Sequence, residues 1–174
     1  MDHGTDRSGL LRGQLALTRQ LAEIVLADLT DEVCLRRPSP GSWTVHRDDR
    51  GRWVPDWDDD PPDDLAQPSL AWTMWQALWW GTVLLDQAEG RPVTPREEIV
   101  WPGATAGVDA LRRLHDRWDA FLAARTEAEL DAGDVVTFPF DDGRPLAAIA
   151  AWANVELTKN VAEMGVLRRL AEAA

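Results

Sequence analysis

A chain of 174 residues suits one domain with a real core. Its net charge of −12, with no basic cluster to neutralise phosphates, argues against nucleic acid and anionic membranes as partners. A single cysteine, Cys34, rules out an intrachain disulfide and a CxxC metal knot. It fits a reducing, cytoplasmic setting. The opening "MDHGTDRSGLLRG" lacks the basic-then-apolar order of a signal peptide, and no stretch is apolar for long enough to span a bilayer. Ten tryptophans against three phenylalanines and no tyrosine point to a bulky core before a ligand cage.

In chain order, Ser8 is a candidate cap for a first helix over residues 8–29, with Leu10, Leu17, Leu21, Ile24 and Val25 as its apolar face. "LTDEVCLRRPSPG" breaks that pattern. "SWTVHR" and "GRWVPDW" suit a short hairpin around "DDRG". "DWDDDPPDD" reads as an acidic, proline-stiffened loop; it lacks the glycine and final glutamate of an EF-hand.

Ser69 caps a second helix that Gly90 ends. Trp72, Trp79, Trp80 and Val83 share a face of it, and Gln76 lies in the middle of that face. Thr94, Pro95 and Glu97 form a capping-box pattern for one helical turn. A third helix covers residues 105–125, with Val108, Leu111, Trp118 and Leu122 on one side and His115 at its centre. Thr126 and Glu129 make a second capping box. "DVVTFPFDDGRP" carries two β-type fragments and a turn.

Residues 145–173 form the longest predicted helix, opened by Pro145. Leu146, Ala150, Ala153, Leu157, Val161 and Met164 make one stripe at 3.6 residues per turn. Glu156, Asn160 and Glu163 fall inside the apolar arc, where polar groups need partners. Four long helices with a long crossover between the first and second make an all-α four-helix bundle, one domain over residues 1–174.

"LTDEVCLRRPSPGSWTV", "SLAWTMWQALWW" and "DDGRPLAAIAAWANVELTKNVAEMGVLRRL" together resemble the DinB-like superfamily. That family of metal-binding bundles includes mycothiol-dependent maleylpyruvate isomerases and related thiol transferases. The resemblance implies three metal ligands: a histidine on the second helix and an HxxxH or ExxxH pair on the fourth. In this sequence those positions hold Gln76, Glu156 and Asn160. Amides are poor ligands for zinc or nickel, so the resemblance implies a bundle that has lost its metal histidines. No cofactor is then expected, and an inter-helix pocket at these positions, extended by His115, Glu163, Trp72 and Trp79, would take a small molecule.

The alternative is a zinc- or nickel-dependent transferase, isomerase or hydrolase-like enzyme with shifted ligands His115, Glu156 and Glu163. A homodimer, the commonest assembly, is compatible with either reading. Of the remaining histidines, His46 has a solvated role as its default, and His3 is expected in a frayed terminus.

Overall fold

The computed structural model describes residues 6–60 and 66–173. His3 and residues 61–65 of the acidic loop lie outside the described residues. The elements are α1 (Arg7–Val25), α2 (Asp31–Leu35), a hairpin of β1 (Val45–Arg47) and β2 (Trp53–Pro55), α3 (Leu70–Ala88), a 3-10 turn (Arg96–Glu98), α4 (Ala104–Ala123), α5 (Glu127–Leu130) and α6 (Leu146–Ala173).

Each long helix has a local reason to start where it does. Ser69 caps α3 by accepting from the Trp72 N–H, as predicted. At α1 the cap is Asp6, whose carboxylate accepts from the Gly9 N–H at 2.6 Å; the predicted Ser8 instead donates to the Leu122 carbonyl on α4. Gly103 (φ 98°) offers α4 no side chain, so Asp31 of α2 supplies one across space, accepting from the Ala104 N–H at 2.7 Å. The Thr126–Glu129 capping box is complete in both directions.

Three local expectations differ from the structure. Helix α1 ends at Val25, short of Leu29, because Asp28 takes a positive φ of 53°. Thr94 makes no capping box: its N–H and hydroxyl both donate to buried Asp86. The fragments in residues 134–140 form no strands. They have no neighbouring strand, and the Gln87 side chain accepts the Thr137 and Phe138 N–H groups instead. The predicted hairpin is present, antiparallel, pairing Val45 with Pro55, His46 with Val54 and Arg47 with Trp53. Gly51 (φ 72°) closes its turn.

Side-chain pairs give the helix directions. Arg12–Asp119 and Arg112–Glu23 run α1 and α4 antiparallel. Asn154–Leu11 and Arg168–Val25 run α1 and α6 parallel. Gln67–Glu163 and Trp80–Asn160 run α3 and α6 antiparallel. The four long helices are therefore up, down, down, up. Helix α3 ends at the opposite end of the bundle from the start of α4. Residues 89–103 return along α3 to bridge them, with Thr94 held by Asp86 and the Ile99 carbonyl accepting from Trp75. The longer connection, residues 26–69, joins ends on the same side and holds α2 and the hairpin.

Helix α3 is the core: it buries Leu70, Trp75, Leu78, Leu85 and most of the rest of its surface. Helix α6 buries the predicted stripe. Helix α1 departs from expectation. It buries Leu11, Leu15, Thr18 and Ala22, while Leu10, Leu17, Leu21 and Ile24 face outward, Ile24 at 74% exposure. The helix carries apolar side chains on two faces, and the larger set lies outside.

Helices α3 and α4 touch where Gly107 faces Met74. A methyl group at Gly107 would sit 2.3 Å from the Met74 sulfur, which is fully buried and also accepts from the Trp101 indole. Gly107→Ala should therefore lower unfolding stability by about 1–3 kcal/mol in a urea titration, despite alanine's better helix propensity. A stabilised variant would show that this contact has slack.

Candidate functional site between α3 and α6

The antiparallel crossing of α3 and α6 brings three polar side chains to one interior point. Trp80 and Gln76 are one turn apart on α3, and Asn160 projects between them from α6, with no exposed surface of its own. The Trp80 indole N–H donates to Asn160 Oδ1 at 3.0 Å. Asn160 Nδ2 then lies 3.5 Å from Gln76 Oε1, at the outer limit for a hydrogen bond.

The order of this chain is fixed by chemistry. An indole can only donate, so the asparagine oxygen must face it and the asparagine nitrogen must face away. Gln76 Oε1 is the acceptor that remains. The Gln76 amide nitrogen is left at the edge of the cluster, on a side chain that is partly exposed.

Glu156, one turn before Asn160 on α6, has a different partner. Its carboxylate pairs with Lys159 Nζ at 2.6 Å, and the glutamate side chain is 22% exposed. Glu163 accepts from Gln67 Nε2 at 3.3 Å. The structure thus joins Gln76 to Asn160 and gives Glu156 and Glu163 other partners. Trp79 is partly buried, stacked on Trp75 with ring centres 5.8 Å apart and edge-on to Phe138 and Trp57. Trp72 is buried, its indole donating to the Asp56 carbonyl at 2.8 Å.

His115 lies elsewhere. It is 3% exposed and lines a small apolar cavity of about 20 Å³ with Trp80, Gly81, Leu111, Trp118 and Leu157. Its Nε2 has no partner among the described residues. Burial pushes its pKa down from 6.5 to about 4; nearby Arg19 lowers it further, while Asp116 and Glu23 oppose the shift. His115 is a neutral core side chain at pH 7. Among the described residues no three His, Cys, Asp or Glu side chains converge as a metal group, so the shifted set of His115, Glu156 and Glu163 is not assembled.

Two contributors fall outside the sequence expectations. Trp80 shares the face of Gln76, and its spacing of four residues from Gln76 is the signal that pairs them. Gln67 precedes the helix and gave no signal.

The aspartates of the acidic loop act singly among the described residues. Asp56 holds the Thr44 N–H and His46, and Asp59 holds the Trp57 indole.

An up-down-down-up bundle with a polar point between its facing core helices defines a class of helical proteins that build sites from inward side chains. The chain belongs to the DinB superfamily, whose family model matches residues 14–164. No curated protein matches it. Among solved structures it is similar to a conserved protein from Enterococcus faecalis, at 12% identity with a TM-score of 0.67, over 98% of this chain and 100% of the other. At that identity the likeness shows the fold.

Two measurements test the geometry. Asn160→Leu should cost about 1–3 kcal/mol in urea unfolding, because it strands the Trp80 N–H; Gln76→Leu should cost less than about 1 kcal/mol, because its contact is long and partly wet. Equal losses would contradict this ranking.

The His115 test is a pH series. The unfolded chain takes up a proton near pH 6.5 that the folded chain resists until about pH 4. Stability from this residue is therefore full above pH 6.5 and is lost as pH falls toward 4, by about 3 kcal/mol in all. Relative to His115→Leu, the parent protein should lose stability across that window, and parallel profiles would contradict the buried neutral state.

Proposed function

We propose that this protein is a DinB-superfamily bundle in which a hydrogen-bonded amide pair stands at the metal position, leaving a binding site for a small molecule. The observation that carries this is the 3.0 Å bond from Trp80 to Asn160 Oδ1. Of the atoms at the expected ligand positions, Asn160 Oδ1 is the one held deepest, and it is committed to an indole.

The residues do not fit a zinc or nickel ion. Such ions favour imidazole or thiolate donors. Here the donor set is two amides and a carboxylate, and the carboxylate is neutralised by Lys159. Asn160 Oδ1 could ligate an ion only while sharing that oxygen with the Trp80 N–H, which makes it a weaker donor still.

What supports a binding role is the edge of the cluster. The Gln76 amide nitrogen, the Trp79 ring and the Glu156 carboxylate belong to partly exposed side chains of α3 and α6. The chemistry favours a small molecule without excess charge. It would stack on an indole and accept a hydrogen bond from the glutamine.

Equilibrium dialysis against zinc and nickel, with elemental analysis, tests the metal half. The purified protein should retain far less than one equivalent of either ion. Gln76→His combined with Asn160→His should gain at least about 100-fold in affinity, since it restores two imidazoles beside Glu156. Stoichiometric metal in the parent protein would overturn the proposal. No gain in the double variant would refute the alignment of these positions with the family's ligands.

A further inference from the structure

The outward face shared by α1 and α6 has no partner in the fold. Among the described residues, eight large hydrophobic side chains are exposed, and seven lie on these two helices; Val93 is the exception. On α1 the exposed set recurs at spacings of three, four and seven: Leu10, Leu17, Leu21 and Ile24, with Gln14 completing the series. That is the seam pattern of a helix packed against another helix, with one polar position to set register. Val155, Val166 and Leu170 continue the face on α6. Between the two helices runs an open groove of about 530 Å³ lined by Gln14, Leu17, Leu21, Val155, Thr158 and Lys159.

Charge is arranged to keep this face neutral. All four charged residues of α1 turn the other way, toward α4 and α5. Arg7 pairs with Glu127 and Asp131, Arg12 with Asp119, Arg19 with Asp116, and Glu23 with Arg112. On α6 the one charge at the groove, Lys159, is matched by Glu156. Further along α6, Glu163 lines the surface beside Val166 and Leu170, and exposed Arg169 adds one charge of the opposite sign, so a molecule of net charge −12 presents one broad surface that is largely apolar and close to net neutral.

We infer that this face binds a second copy of the chain, as a two-fold dimer in which the α1 ridge of each protomer lies against the α1–α6 groove of the other. Size fits. Helix α1 has 19 residues, so a face two helices wide covers roughly 28 by 20 Å, or about 550 Å² in projection. Side-chain relief brings that toward the ~800 Å² per partner of a standard interface. Charge selects the occupant. An anionic lipid surface is repelled by the whole molecule, whereas two copies meet where neither carries excess charge. The surface is self-complementary, ridge beside groove, as a two-fold contact requires.

Sedimentation equilibrium of the full chain is the test. The expected mass is twice the 19.4 kDa of the monomer at tens of micromolar protein. Raising salt from about 20 to about 300 mM should tighten the dimer several-fold, because it screens repulsion between the acidic bodies while leaving the apolar contact intact. Leu17→Glu and Ile24→Glu change exposed residues and should give folded monomers, with helical circular dichroism unchanged. Val93→Glu, off the face, should remain dimeric. Three results would overturn the inference: a monomeric parent protein, a dimer that survives both α1 substitutions, or a monomer that floats with phosphatidylcholine vesicles.

Discussion

A buried indole N–H can only donate, and it must find an acceptor or forfeit a hydrogen bond to water. That constraint organises this molecule around α3. Trp72 donates to the Asp56 carbonyl beyond the hairpin, Trp75 to the Ile99 carbonyl of the return segment, and Trp80 to Asn160 of α6. Trp101 reverses the direction, reaching from the return segment to the Met74 sulfur on α3. The rings bury large areas, and at Trp72 and Trp75 the N–H group picks out the piece of irregular chain that lies over the ring. An unusual tryptophan content thus has a structural use: it ties long, poorly patterned connections to one central helix.

The same constraint reaches the candidate site. Because Trp80 dictates which way the Asn160 amide faces, the polar point between α3 and α6 is a directed chain from indole to asparagine to glutamine. The superfamily's fold is kept, and at this point in it the inward side chains of α3 and α6 are joined by hydrogen bonds. Shared fold sets where such side chains sit and leaves open what they do there.

Periodicity made α6 and the inward placement of Gln76 and Asn160 legible, because a stripe of apolar residues flanks each of them. Short-range chemistry made the Ser69 cap and the Thr126–Glu129 box legible, since both partners lie within one turn. Long-range partners were not. Thr94 matched a capping pattern, but buried Asp86 outcompeted it for both donors. Glu156 lies in the apolar arc, yet its carboxylate pairs with Lys159 three residues on and not with the amides. On α1 the spacing showed an apolar face without showing which way it pointed. Two stripes were present, and the one with the larger side chains lies outside. Tertiary competition settles such cases, and one helix read alone does not contain it.

Lys159 is the chain's sole lysine; every other basic residue is an arginine or a histidine. It is half exposed at the rim of the α1–α6 groove. Any amine-directed reagent, from an acyl donor to a coupling resin, thus has one side-chain target on this molecule. Its reactivity becomes a local gauge of that single rim. Immobilisation through it would orient every molecule alike, with the opposite side, α3 and α4, turned to the solution.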